Sequence, residues 1–164
     1  MASRLISALD RILATFCVVL CSALVLCVVW QVFSRYVLND PSTITDELAR
    51  FLFIWVGLIG AAYGLGQKKH LAIDLLLTKL ESSPIKHTVM QIIITLIGLA
   101  FTLIIMCYGG GRLVFDIMKA GQISPVLGVE MGLVYLAIPI SGFFMLVFLI
   151  RDLFNEFGQL SAKD

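Results

Sequence analysis

The sequence predicts an all-α membrane protein: four transmembrane helices plus a short interfacial amphipathic helix on the inner side. Three observations carry this expectation. Of 164 residues, 60% are hydrophobic and only 14% are charged, whereas a soluble domain is about half apolar and about a quarter charged. The charged residues leave four long uncharged runs: Ile12–Ser34 (23 residues), Phe51–Gln67 (17), Thr88–Gly111 (24) and Met131–Ile150 (20). A spanning helix needs about 20 largely apolar residues. The runs do not alternate in the ten-residue rhythm of barrel strands, and helices satisfy their own backbone in lipid. The whole chain, 1–164, reads as one integral membrane domain. Its helices are expected at about 12–36, 44–67, 88–111 and 130–150, with the interfacial helix at about 71–83.

Residues 1–11 form a short amphipathic start with Arg4, Asp10 and Arg11. Helix 1 follows. It is too long for the apolar core of a signal peptide, and no small-x-small site closes it, so it reads as a retained span. Trp30, Phe33 and Tyr36 cluster at its far end as an aromatic belt does, and Arg35 suits a snorkelling anchor there. Cys17, Cys21, Cys27 and Cys107 lie inside apolar runs without a His or carboxylate, so they read as small packing residues, not as four converging metal ligands.

The stretch Asp40–His70 organises the chain. Asn39-Asp40-Pro41-Ser42 is a turn, because Asn and Asp bond their own backbone and Pro fixes φ. Thr43 is the expected N-cap, with Asp46 in the place of a capping-box acid. Asp46 and Glu47 suit the positive end of the helix dipole. Arg50 lies i+4 from Asp46 and i+3 from Glu47, so pairing within the helix is expected, at roughly 0.3 kcal/mol. Beyond it, Gly57-x-x-x-Ala61 and Gly60-x-x-x-Gly64 make a small-residue face that lets another helix approach closely, in this subunit or in a partner. Lys68, Lys69 and His70 form a basic exit.

Residues 71–83 place Asp74, Thr78 and Glu81 on one side and leucines on the other, which suits a helix lying in the interface. Helix 3 ends in Gly109-Gly110-Gly111, where close packing, a kink or helix termination would each account for three glycines. Arg112, Asp116 and Lys119 continue a helical spacing beyond it. Ser124-Pro125-Val126-Leu127-Gly128 reads as a hairpin. Pro139 is expected to kink helix 4, and residues 151–164 read as a short polar tail.

Net charge is +1, which gives no field for nucleic acid. With the N-terminus inside, the inner segments hold eight Lys and Arg (Arg4, Arg11, Lys68, Lys69, Lys79, Lys86, Arg151, Lys163). The outer segments hold four (Arg35, Arg50, Arg112, Lys119). The positive-inside rule then favours both termini inside. No uncharged run carries an ionisable residue other than cysteine and tyrosine, and ion-coupled carriers keep ionisable groups along their pathway. His70 and His87 lie outside the spans, which argues against haem. No phosphate loop, nucleophile elbow or zinc signature is present. These absences exclude a catalytic, metal or substrate site and favour a scaffold. A self-contained small dimeric carrier is the alternative.

A wider pattern joins these segments. Phe33-x-Arg35-Tyr36 is followed by Asp46-Glu47-Leu48-Ala49-Arg50, Trp55, Gly60-Ala61-Ala62 and His70. A second block runs from Ser124-Pro125-x-Leu127-Gly128 through Met131 and Tyr135 to Ile138-Pro139. Together they resemble the small membrane subunit of tripartite ATP-independent periplasmic (TRAP) transporters, the DctQ/SiaQ type. Ile44 departs from the pattern where Trp is common, as does Leu133; Asp46 stands where Glu is common, and Glu130 where Pro is common.

The resemblance implies a large partner permease (DctM/SiaM type) that holds the substrate and sodium sites and works by an elevator motion. It also implies a soluble periplasmic binding protein and an organic-acid substrate, such as sialic acid or a C4-dicarboxylate. This chain would then be a cofactor-free scaffold in the bacterial inner membrane, with sodium bound by its partner. Arg35, Asp46, Glu47, Arg50, Gly57, Gly60, Ala61 and Gly64 are the expected partner interface. Arg112, Asp116 and Lys119 are candidates for docking the binding protein, and Lys68, Lys69 and His70 for anchoring to inner headgroups.

Overall fold

The computed structural model describes residues 2–67 and 84–161. The described residues form helices α1 (Ala2–Tyr36), α2 (Thr43–Gly66), α3 (Pro84–Phe101), α4 (Gly110–Lys119), α5 (Met131–Tyr135) and α6 (Ala137–Ser161), with a π-helical segment, Thr102–Gly109, joining α3 to α4. Four helical spans among them are long and apolar enough to cross a membrane: Ser7–Tyr36, Thr43–Gly66, Val89–Lys119 and Met131–Glu156. This is the four-span architecture expected from composition. The proposed interfacial helix 71–83, and the basic residues Lys68, Lys69 and His70, lie outside the described residues.

The spans do not pack in chain order. α1 packs on α2, while α6 touches α2 on one side and α3 with its π segment on the other. The fourth span is therefore the centre of the bundle, and 33% of its apolar window is buried against 6% for the first. Leu13, Ile59 and Phe148 form the core cluster, with Cys17, Trp55, Tyr63, Leu65 and Phe144 packed against it. Cys17 thus packs as expected, but Cys21 is exposed.

Several boundaries differ from expectation. α1 begins at Ala2, so the amphipathic start is part of the first helix. The third span does not stop at the glycine triplet but runs to Lys119. Within the π segment and just beyond it, Thr102, Met106 and Gly110 are buried. Gly110 is the close-packed member of the triplet: a Cβ there would lie 2.6 Å from Ile138 Cγ2, whereas Gly111 faces open space. The fourth span divides at Leu136, between α5 and α6. The break lies just before Pro139, whose ring conflicts with the carbonyl four residues earlier. Most of the expected polar tail is helical: α6 continues to Ser161.

Glycines on the two faces of the bundle predict opposite outcomes. A Cβ at Gly142 would sit 2.8 Å from Met106 Cβ, on the α6–π seam. Gly142→Ala should lower stability by about 1–3 kcal/mol, the usual cost of overpacking. Gly57 has nothing within 4 Å of a Cβ, so Gly57→Ala in the isolated chain should be neutral or stabilising by up to about 1 kcal/mol. Thermal unfolding in detergent distinguishes them; equal shifts would contradict this packing.

Candidate functional site

The polar side chains of interest collect at the two ends of the bundle. At the α1–α2 turn, Ser34 is 2% exposed. Its hydroxyl donates to Gln31 O at 3.0 Å and accepts the Ser42 N–H at 3.3 Å. Asp40 N–H donates to Ser34 O at 3.1 Å, and Gln31 Nε2 donates to Thr45 O at 2.7 Å. These bonds stitch the end of α1 to the start of α2. Asn39 takes a left-handed φ of 55° to make the turn, a conformation that asparagine tolerates better than most residues.

The expected capping box does not form. Ser42, not Thr43, is the N-cap, and no side-chain bond caps the helix. Instead, the Asp46 carboxylate pairs with Arg50 one turn on, with both side chains substantially exposed. Glu47 forms no salt bridge with Arg50, the helix partner its spacing offered. Its Oε2 accepts the backbone N–H of Val126 at 3.1 Å and of Leu127 at 2.8 Å. Helical geometry separates the two acids: adjacent positions point about 100° apart, so one faces its own helix surface while the other crosses to the hairpin. Arg35 is exposed and lines a shallow recess with Gln31, Pro41, Ser42, Thr43 and Asp46.

The small-residue face of α2 points out of the bundle. Gly57, Gly60 and Gly64 each have nothing within 4 Å of a Cβ position, and Gly57 and Ala61 are exposed. The opposite side of α2 buries Ala49, Ile59, Ala62 and Gly66. The face therefore packs on no described helix of this chain. Arg112 and Asp116 approach to 3.9 Å as an exposed i, i+4 pair, and Lys119 beside them is also exposed. Among the described residues no group of three His, Cys, Asp or Glu side chains is placed to hold a metal ion.

At the opposite end lies a polar cluster that reading 151–164 as a tail had missed. Arg151 Nη2 donates to Gly66 O, at the end of α2, at 3.1 Å, and its Nε donates to Asp152 Oδ1 at 2.8 Å. Its guanidinium stacks 5.3 Å from the Phe148 ring centroid. That ring lies where a Cβ on Gly66 would be, 2.9 Å away. Thr95 Oγ1 lies 3.1–3.2 Å from both carboxylate oxygens of Glu156. Asp152 and Glu156 are only 8% and 5% exposed. The sequence did carry a signal: Phe148, Asp152 and Glu156 follow one another at i+4, so the buried face of the span continues into acidic residues.

Arg151 therefore ties α2 to α6. Arg151→Ala removes two hydrogen bonds and a ring contact and takes a cation from the buried Asp152. The expected loss is about 2 kcal/mol. Arg151→Lys should recover only part of it, since an ammonium cannot hold the carbonyl, the carboxylate and the ring together. Thermal unfolding in detergent checks both; a wild-type midpoint for Arg151→Ala would remove the clamp.

Comparison with known proteins agrees with this architecture. The family model of the DctQ component of tripartite ATP-independent periplasmic transporters matches residues 24–159. The chain is 26% identical to the sialic acid TRAP transporter small permease protein SiaQ of Vibrio cholerae, over 94% of this chain and 85% of that protein. It is 36% identical to the C4-dicarboxylate TRAP transporter small permease protein DctQ of Rhodobacter capsulatus, over 73% of this chain and 52% of that protein. The family match begins within the first span and includes the other three, the Asp46–Arg50 turn and the Ser124–Gly128 hairpin, and the chain belongs to the DctQ family of TRAP transporter small permease subunits.

Proposed function

We propose that this chain is a static scaffold for a larger permease subunit and has no transport path of its own. One observation carries the reading. The charged side chains of the described spans lie near the span ends, several of them paired, while the middles are apolar with hydroxyls satisfied locally. A carrier would place ionisable groups along its path. In this reading the large subunit holds the substrate and sodium sites, and a soluble binding protein delivers an organic acid. The two named relatives favour sialic acid or a C4-dicarboxylate as the substrate class. The positive-inside count favours a bacterial inner-membrane orientation with both termini cytoplasmic.

The open glycine face of α2 is the side on which a partner helix fits. Gly57, Gly60, Ala61 and Gly64 run along it, and Asp46 and Arg50 stand at its head. An exposed ion pair adds little to the fold of an isolated chain. Its value in this reading lies in orienting the partner, with Arg35 nearby as an interfacial anchor. Arg112, Asp116 and Lys119 remain the candidates for contact with the binding protein, and Lys68, Lys69 and His70 for the inner headgroups.

Reconstitution of the large subunit, sodium and loaded binding protein, with and without this chain, tests the scaffold role. Uptake should require this chain, and this chain alone in liposomes should transport nothing. Full uptake without it would overturn the proposal, and uptake by it alone would establish the small-carrier alternative. Arg50→Ala and Gly57→Leu should leave the isolated chain's unfolding midpoint nearly unchanged and reduce recovery of the large subunit severalfold. Wild-type recovery for both would move the interface elsewhere.

A further inference from the structure

The hairpin between α4 and α5 is braced by its own backbone. Ser124 N–H donates to Val129 O at 2.9 Å, Gly128 N–H to Ser124 O at 3.1 Å, and Met131 N–H to Gln122 O at 3.0 Å. Ile123 and Glu130 form an antiparallel bridge. Gly121 and Gly128 take φ values of 60° and 65°, which a glycine adopts without steric cost. The turn thus has its own framework of bonds, none of which uses Glu47.

Within that frame, two successive backbone N–H groups point at one place. Consecutive amides aimed at a common point form an anion-binding concavity. Ser124, 3% exposed, steadies the turn beside it: its hydroxyl oxygen accepts the Leu127 N–H at 3.2 Å. The group in this concavity is the Glu47 carboxylate, 79 and 80 residues away in sequence from the two amides. Arg50 is engaged by Asp46, so the acid that crosses to the hairpin is the one its helix does not pair in a salt bridge.

We propose that the Ser124–Leu127 turn is a carboxylate-binding cradle filled in cis by Glu47, which makes Glu47 the residue that positions this hairpin on α2. Ile123 and Val126, 62% and 45% exposed, lie on the hairpin, and the clasp fixes their orientation relative to the α2 partner face. Only this last consequence rests on the scaffold reading; the cradle itself stands on geometry.

The test uses the chain purified with its co-purifying membrane partner. Hydrogen–deuterium exchange of the peptide 123–129 is followed in nanodiscs, and uptake is measured on the same variants in proteoliposomes. Glu47→Ala should speed exchange of the Val126 and Leu127 amides by about tenfold. Added acetate or formate should restore protection, while chloride at equal ionic strength should not. Glu47→Gln keeps an acceptor oxygen and should retain most of the protection. Glu47→Asp, one methylene shorter, should lose protection in a folded protein and guards against a misfolded alanine variant.

Unchanged exchange in both Glu47→Ala and Glu47→Asp overturns the clasp. Faster exchange that no carboxylate reverses overturns the cradle. Faster exchange with carboxylate rescue supports it. If uptake in that case stays at the wild-type rate, the cradle stands and the link to the scaffold reading fails.

Discussion

A backbone crossing lipid has no water to satisfy its N–H and C=O groups, so each span must be a helix that closes its own hydrogen bonds. The rest of this protein follows from how the helix ends and irregular turns meet that demand. Where the first span turns into the second, Ser34, Gln31, Ser42 and Asp40 supply one another's partners. Where the third span turns back, the hairpin amides of Val126 and Leu127 are satisfied by Glu47. Where the second span ends, the carbonyl of Gly66 is taken by Arg151. Polar side chains are spent on connections, and the apolar middles are left to dispersion packing.

These connections share a geometry. Glu47 joins one end of α2 to the hairpin that leads into the fourth span. Arg151 joins the other end of α2 to that span itself. The second and fourth spans are held at both ends and packed between by Ile59 and Phe148. Gly110 and Gly142 let the third span close on the other side of the fourth. The result is a bundle built on its fourth span, with the first span and the glycine face of the second toward the outside. The chain shares this bundle with a family of transporter small permease subunits.

The polar signals of the sequence were legible to different degrees. The Asp46–Arg50 pair was, because i, i+4 spacing on a helix sets proximity locally. Glu47 was read by the same local rule, which gave the wrong partner, because its acceptors lie in a hairpin fixed by long-range packing. The small-residue spacing of Gly57, Gly60, Ala61 and Gly64 announced a close-approach face but not its direction. Asp152 and Glu156 fell within residues read as a short polar tail, and carboxylates are seldom buried. Their i+4 continuation of the Phe148 face was the contrary indication.

Taken alone, the sequence determined the class, the number of spans, the apolar character of their middles and the family pattern. Those properties depend on composition, helical period and the thickness of a bilayer, all readable along one dimension. The tertiary structure decided which spans are neighbours, why the fourth is central, how the third continues past its glycines, and where the Glu47 and Arg151 side chains end. Helix order in a bundle depends on complementary surfaces such as Gly66 against Phe148 and Gly142 against Met106. Such complementarity arises only when distant segments meet, and no periodicity within a single span encodes it.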